Sequence, residues 1–391
     1  MAAFIDIVYI LFNLVFKLFL LATVVFYCFK VSKQNNFKLY NILLLFGIHY
    51  AFTFFYWYSS KINVADSTKY YLDASEATSW FSLIGISTDF IKFLTYPLVH
   101  YLQLDYLAVF LVYSTLSFVG FIKLYKLILS FEYSTTLKIL GIPIFPLVLF
   151  LPGLHYWTCA LGKDSLAFFV VVFFIEHLVN NKSKSGMLLI ITVLLLIRPY
   201  LVIFMFIAFI LNITLFKSNF TFKKGFLVFF SLIIGFISIK VLFNYLNVDM
   251  MSYVFDRASK LSRIASRRLE AVGGSYIVPD NYNIFHKMYL YLFTPLFIGA
   301  KSIMQIIASF ENLFLLILVI KYVFSFSLKF YKKHTHFRFI LMYCLIFLII
   351  KAYMLFNIGI AVRQKFMIVP FIIYLLFAQY SYNQIQKQYE G

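Results

Sequence analysis

The stretch FIDIVYILFNLVFKLFLLATVVFYCF, residues 4–29, carries only Asp6 and Lys17 as charged side chains. It is too long for the apolar region of a signal peptide and lacks a small-residue cleavage site, which predicts a retained membrane helix. Similar runs recur along all 391 residues, of which 63% are hydrophobic, and the mean hydropathy is +0.90. A β-barrel would instead alternate in segments of about ten residues. The predicted fold class is therefore all-α, a polytopic transmembrane helical bundle.

The net charge of +19 does not indicate a nucleic-acid partner. The cations fall mostly in short loops between apolar runs, where they report membrane topology. The three cysteines lie far apart in the sequence, at positions 28, 159 and 344. They predict neither a disulfide framework nor a metal site.

The basic loops orient the predicted spans, because short cytoplasmic loops are enriched in lysine and arginine. Five basic loops are placed in the cytoplasm: 30–38, 123–138, 182–184, 217–224 and 329–338. About nine full spans follow: 4–29, 39–57, 104–124, 138–154, 165–180, 225–245, 306–328, 338–356 and 365–381. Residues 1–391 form one integral membrane domain in this prediction, with two larger external loops, 58–103 and 246–305.

Residues 187–216 lie between two basic loops, so the chain must cross an even number of times. The runs 187–197 and 200–216 are roughly 16 and 25 Å long as helices, short for a bilayer. Pro199 breaks the first helix because it lacks an N–H. We predict a short-helix hairpin with Arg198 at its apex, facing an external cavity. The alternative is one long kinked helix with a snorkelling Arg198.

The segment LPGLHYWTCALGKDSLAFF, residues 151–169, is predicted to be an external turn between two spans. Asp164 is the expected N-cap of the second span. Lys163 would then lie at a helix N-terminus, where the macrodipole disfavours a cation unless an anion also binds. The alternative is a Lys163–Asp164 ion pair beside an interfacial Trp157.

Two further external segments are basic, contrary to the topology rule. Arg363 and Lys365 lie in the turn NIGIAVRQKF, residues 357–366, and Arg263 and Arg267 lie one helical turn apart in the second large loop. A solvated amphipathic helix is the alternative for the loop arginines. An anionic ligand at the outer face would account for all of these cations.

Several stretches occur in an order that resembles a known family: LHYWTCALGKDSL (154–166), LLIRPYL (195–201), EAVGGSY (270–276), YLFTPLF (291–297), IIASFENL (306–313) and NIGIAVRQKF. Together they resemble the O-antigen and capsular polysaccharide polymerase-like membrane proteins of bacteria. Related proteins often have His after the Arg-Pro pair and Arg before the Pro of the Phe-x-Pro element. This chain has Tyr200 and Thr294 at those places.

The resemblance implies an enzyme, a membrane glycosyltransferase that joins oligosaccharide units carried on undecaprenyl diphosphate. Preorganised cations can stabilise a diphosphate leaving group without a metal or cofactor. The residues expected to bind the diphosphate are Lys163, Arg198, Arg363 and Arg267. The candidates for the general base are Asp164, His155 and Asp66. Trp157, Tyr70 and Trp80 are candidates for stacking on sugars, although interfacial aromatic belts give the same pattern.

The implied location is the bacterial inner (cytoplasmic) membrane. The implied partners are the lipid-linked oligosaccharide, membrane lipid, a chain-length regulator and a flippase, with no nucleic acid. Two alternatives stay open: another lipid-linked-sugar glycosyltransferase, and a non-enzymatic transporter of polysaccharide or lipid. The bias of the charged residues towards the outer half favours chemistry at one face.

Overall fold

The computed structural model describes residues 2–180, 182–216, 282–298, 300, 302–355 and 357–390. These residues are 80% helical, which confirms the predicted all-α class. In the described ranges, strand is confined to a two-residue antiparallel pair, β1 (Lys138–Ile139) and β2 (Ile142–Pro143). The chain divides into two compact units, Met1–Val202 and Ile203–Gly391.

The first unit contains eight helices of the described chain and the first residues of a ninth: α1 (Ala2–Asn35), α2 (Leu39–Ile62), α3 (Asp66–Glu76), α4 (Thr88–His100), α5 (Tyr106–Leu129), α6 (Pro152–Thr158), α7 (Lys163–Val179), α8 (Lys184–Ile197) and the start of α9 (Pro199–Phe216). Helix α5 is central and packs against α1, α2 and α7. Its residue Gly120 allows close packing, since an added Cβ would lie 3.0 Å from the ring of Phe168. The outer helix α1 instead exposes a long row of apolar side chains, as expected for contact with lipid.

Polar groups fix where α5 begins and how it is tied to α1. Asp105 caps α5 by accepting a hydrogen bond from the backbone N–H of Ala108 at 2.8 Å. The same carboxylate pairs with Lys17 of α1 at 2.6 Å. At the other end of α5, Lys123 pairs with Glu176 of α7 at 2.9 Å. Lys17 and Lys123, which lie within apolar helices, are therefore each paired with a carboxylate.

The predicted loop 58–103 is largely helical. Helices α3 and α4 pack against each other inside it, with a 3-10 turn at Phe81–Leu83 between them. Lys92 of α4 links the two helices through an ion pair with Asp73 of α3 at 2.9 Å, and it also pairs with Asp89 of its own helix at 3.2 Å. Through α4, this helical pair contacts α8.

The second unit, as far as the structure describes it, contains the rest of α9 and α10 (Ile284–Phe293), α11 (Ile303–Phe324), α12 (Leu328–Lys333), α13 (Thr335–Tyr353), α14 (Ile358–Gln364) and α15 (Val369–Glu390). Asparagine and serine side chains cap four of these helices: Asn283 for α10, Ser302 for α11, Ser327 for α12 and Asn357 for α14. Helix α10 packs against α11, α13 and α14, and α15 packs against α11 and α13.

Among the described residues, five helices are long and apolar enough to cross a membrane, namely α1, α2, α5, α11 and α13. The number rises to seven if each of two bent pairs is one span: α6 with α7, bent by 112°, and the segment Ile358–Met367 with α15, bent by 51°. These helices indicate a multi-pass membrane protein. The count of about nine spans is not confirmed, and the predicted span 225–245 lies outside the described residues.

The predicted span 138–154 is wrong. The segment forms the β1–β2 pair, a 3-10 turn at Leu147–Phe150 and the first residues of α6. Pro143 and Pro146 explain the difference, because each lacks an N–H and disfavours helix in the residue before it. Gly141 adds a turn with φ of +80°. Apolar composition alone therefore overstated the helix in this segment.

Candidate functional site

Gly162 ends the bend between α6 and α7 and allows a close approach to α3. It is the N-cap of α7, with φ of +155°, and an added Cβ would lie 3.3 Å from the ring of Tyr70. Both features favour glycine at this position. The predicted N-cap Asp164 is wrong, because the helix begins at Lys163 and Asp164 lies in its first turn.

Asp164 and Arg198 form a buried ion pair. Arg198 donates through Nη2 to Asp164 Oδ1, and its Nη1 donates to the Tyr200 hydroxyl at 2.7 Å. The relative exposure is only 4% for Asp164 and 7% for Arg198. Arg198 lies in the break between α8 and α9, since α8 ends at Ile197 and α9 begins at Pro199. The predicted break in the helix is therefore confirmed.

Lys163 points to the loop before α4. Its ammonium donates to the Thr88 hydroxyl at 3.0 Å and to the Ser87 hydroxyl at 3.4 Å, and it lies 5.9 Å from the ring centre of Tyr70. The backbone N–H of Ser87 in turn donates to the carbonyl of Leu196, at the end of α8, at 2.6 Å. The loop thus joins the start of α7 to the end of α8.

These contacts bring Lys163, Asp164 and Arg198 together with Ser87 and Thr88, a group that we call the basic corner. The group contains two cations and one carboxylate, and Asp164 and Arg198 are buried whereas Lys163 is partly exposed. The N-terminus of α7 adds a partial positive charge. Such a place favours an anion, although a helix N-terminus alone would not define a site. Three of these residues, Lys163, Asp164 and Arg198, were candidates from the sequence, which gave no signal for Ser87 and Thr88.

His155 is fully buried, and both of its ring nitrogens have partners. Its Nε2 lies 2.8 Å from the carbonyl oxygen of Leu149, and its Nδ1 lies 3.0 Å from Nδ1 of His49 on α2. A general base must reach the proton that it removes. This environment therefore favours a positioning role for His155, and the sequence gave no reason to expect His49 as its partner.

Asp66 and Tyr70 lie one turn apart on α3, so they share a helix face. Tyr70 is buried beside Gly162 and Lys163, whereas Asp66 is exposed at the start of the helix. Of the three acid or base candidates, Asp66 is the exposed one. The helix thus places an accessible carboxylate one turn from Tyr70, whose ring lies near Lys163.

The two predicted sugar-stacking tryptophans have local packing partners. Trp80 stacks on Phe93 of α4 with ring centres 5.0 Å apart, and its indole N–H donates to the Phe93 carbonyl at 2.8 Å. Trp157 packs edge-to-face on Tyr156 at 5.0 Å. Both are partly exposed. Tyr70 lies against the basic corner, with its ring centre 5.9 Å from the Lys163 ammonium.

The second unit contains a separate polar cluster around Lys365. Lys365 is almost completely buried, donates to the side-chain oxygen of Asn312 and lies 3.5 Å from the carbonyl of Leu292. Glu311, also buried, interacts electrostatically with it. Asn312 donates to the Pro295 carbonyl at 2.8 Å. These partners account for a buried cation at this place in the chain. Two of them, Glu311 and Asn312, lie in the stretch IIASFENL that the sequence analysis noted.

Arg363 lies in α14, two residues before Lys365 and in the second unit. Its convergence with Lys163 and Arg198, both in the first unit, stays a prediction. Arg267 and the other arginines of its loop segment lie outside the described residues. In the parts of the chain that the structure describes, no three His, Cys, Asp or Glu side chains are grouped as a metal ion would require.

No protein-family model, curated protein or solved structure matches this chain.

Proposed function

We propose that this protein polymerises oligosaccharide units carried on undecaprenyl diphosphate at the outer face of the bacterial cytoplasmic membrane. The observation that carries the proposal is the basic corner, in which a lysine and a buried arginine lie together with hydroxyl groups at breaks between apolar helices. Intramembrane ionisable residues are costly and usually functional. A diphosphate at the membrane surface is an anion of suitable charge for this place.

The proposed reaction is a glycosyl transfer. An acceptor hydroxyl attacks the anomeric carbon of the donor sugar, the bond from that carbon to the diphosphate oxygen breaks, and a base removes the hydroxyl proton. Lys163 and Arg198 stabilise the negative charge that develops on the leaving oxygen. Arg198 also holds Asp164 and Tyr200, so its guanidinium is fixed before substrate binds. Arg363 and Arg267 are proposed as further diphosphate ligands.

Asp66 is the proposed general base. It is exposed and lies on the same face of α3 as Tyr70, whose ring is near Lys163. Tyr70 is correspondingly placed to contact the sugar next to the diphosphate. Asp164 serves instead as the counterion that makes a buried Arg198 tolerable. A chain-length regulator and a flippase are proposed as partners.

The test is polymerisation by purified protein in lipid vesicles supplied with the lipid-linked oligosaccharide. Product length is read on a gel. We expect Lys163→Met to reduce long-chain product at least about tenfold, because it removes a charge that stabilises the leaving group. Lys61→Met is the matched control, since Lys61 is exposed at the end of α2 and lies over Trp57. Normal chain lengths with Lys163→Met would contradict the proposal.

A transporter of polysaccharide or lipid is the second candidate, and the Lys365 cluster favours it. A buried lysine beside Asn312 and Glu311, among apolar helices, is typical of ion-coupled transport sites. The same vesicles separate the two functions. A transporter moves lipid-linked oligosaccharide between leaflets without lengthening it, whereas a polymerase lengthens it.

A further inference from the structure

The short helix α12 connects two helices that are candidates for crossing the membrane. Residues 325–334 lie between α11 and α13, and both of these helices are long and apolar enough to span a bilayer. A short connection between two consecutive spans lies at the membrane surface, because neither span leaves chain to spare. Helix α12 is therefore placed beside the lipid headgroups.

The side chains of α12 divide into a buried set and an exposed set. Phe330 and Tyr331 are buried, and the ring of Phe330 lies 5.1 Å from that of Tyr382 on α15. The three lysines at positions 329, 332 and 333 are exposed. Positions i, i+3 and i+4 share one face of a helix. The three ammonium groups therefore lie together, and we call this group the lysine face.

Hydrogen bonds hold the turn that presents the lysine face. Ser327 caps α12 by accepting from the backbone N–H of Phe330 at 3.4 Å. From α15, Asn383 donates to the Ser325 carbonyl at 2.7 Å, and Gln379 donates to the carbonyl of Tyr322 at 3.1 Å. These contacts fix α12 against the end of α11, so the three lysines keep their common orientation.

The lysine face has an excess of positive charge. The sequence contains no aspartate or glutamate between Glu311 and Glu390. In the described ranges, none of the three lysines forms an ion pair with a carboxylate. Like charges at these helix spacings repel one another. An anion from outside the chain would relieve this repulsion.

Exposed apolar side chains border the lysine face. Phe324 at the end of α11 is 87% exposed, and Leu328 at the start of α12 is 61% exposed. Apolar side chains beside lysines are typical of segments that lie at the boundary between headgroups and acyl chains. The chemistry of this surface thus matches a molecule with an anionic group and an apolar tail.

We propose that the lysine face binds the phosphate groups of anionic phospholipids in the adjacent leaflet, with Phe324 and Leu328 among the acyl chains. Basic clusters next to a membrane helix attract anionic lipids, and each lysine adds to the attraction. The proposal does not rest on the polymerase activity, because none of these residues belongs to the basic corner.

The test is native mass spectrometry of delipidated protein in detergent, titrated separately with phosphatidylglycerol and with phosphatidylcholine of the same acyl chains. We expect wild-type protein to bind phosphatidylglycerol at least about tenfold more tightly. The triple variant Lys329→Gln, Lys332→Gln, Lys333→Gln should bind both lipids equally. Replacing all three by arginine retains the charge and should keep the preference, which separates loss of charge from misfolding. Lys332→Gln alone should lose part of the preference.

A second triple variant controls for net charge. Lys30→Gln, Lys33→Gln, Lys38→Gln also removes three exposed lysines. These do not share one helix face, because Lys30 and Lys33 lie on α1 whereas Lys38 precedes α2. We expect this control to keep the wild-type preference.

Three results would overturn the proposal. The first is equal binding of the two lipids by wild-type protein. The second is an equal loss of preference in the two glutamine triple variants, which would show that only net charge matters. The third is displacement of phosphatidylglycerol by an equal concentration of inorganic phosphate, which would indicate a site for a soluble anion.

Discussion

Arg198 reaches back 34 residues to pair with Asp164 in the interior of the first unit. The pair joins the break between α8 and α9 to the first turn of α7. Removing one partner of a buried ion pair leaves an uncompensated charge, which typically destabilises a protein by about 3–5 kcal/mol. Removing one partner should therefore lower the stability more than removing both, and this difference can be measured.

The first prediction is that Arg198→Met and Asp164→Asn are not additive. Asp164→Asn leaves the guanidinium buried without its counterion, so it should lower the thermal midpoint strongly. The double variant removes both charges and should be more stable than Asp164→Asn alone. The measurement is thermal unfolding of the purified protein in detergent. A double variant as unstable as the sum of the two single variants would show that the residues do not interact.

The second prediction concerns the conformation of Gly162. Gly162→Ala should lower both thermal stability and polymerisation, because φ of +155° and the ring of Tyr70 at 3.3 Å each oppose a Cβ. Gly47→Ala is the matched control, since no atom lies within 4 Å of an added Cβ there and alanine favours helix. Equal stability of the two variants would remove the argument for a close approach between α3 and α7.

The third prediction is a pH effect on the link between α3 and α4. Burial lowers the pKa of Lys92, but the hydrogen bonds to Asp73 and Asp89 outweigh it and the net pKa is raised. A lysine whose pKa is raised in the folded state contributes its full stabilisation at pH values below its unfolded-state pKa of about 10.4. This stabilisation is lost as the pH rises through the folded-state pKa.

Lys92→Met should therefore lower the thermal midpoint by about 1–3 °C at pH values near 8. The difference from wild type should shrink as the pH is raised through the folded-state pKa of Lys92. Lys69→Met is the control, because Lys69 is an exposed lysine on α3. A difference between wild type and Lys92→Met that grew with pH would contradict the assigned sign.

The pattern of apolar runs predicted the helical class and most of the described helices. Pro199 predicted the break at Arg198 correctly, because the missing N–H acts locally and needs no tertiary partner. The predicted span 138–154 was wrong because it was based on hydropathy alone. Its hydropathy resembles that of a membrane span, but Pro143 and Pro146 prevent a continuous helix.

The partners of the site residues were harder to predict. On sequence grounds Lys163 could pair with its neighbour Asp164 or bind an anion. In the structure it donates to the hydroxyl groups of Ser87 and Thr88, more than 70 residues away. His49 gave no signal because a histidine in an apolar helix resembles any other core residue. Such contacts depend on which helices pack together, and hydropathy does not encode that.

The fourth prediction tests the membrane placement of the break. A cysteine introduced as Pro199→Cys should react with a membrane-impermeant thiol reagent added from outside, if Arg198 faces an external cavity. The native cysteines at 28, 159 and 344 are buried and give a low background. Labelling that required permeabilised membranes would place the break on the other side and weaken the case for an outer-face reaction.

The last prediction concerns Arg363, which we propose as a forked ligand of the diphosphate. A guanidinium can donate two parallel hydrogen bonds to a phosphate, whereas a lysine ammonium acts as a point charge. Arg363→Lys should therefore reduce long-chain polymer strongly while protein abundance stays at the wild-type level, and Arg363→Ala should reduce it further. Lys351→Met, near the end of the neighbouring helix α13, is the control for a general loss of positive charge. Normal chain lengths in both Arg363 variants would leave the residue with a structural role, and the polymerase would then depend on the basic corner alone.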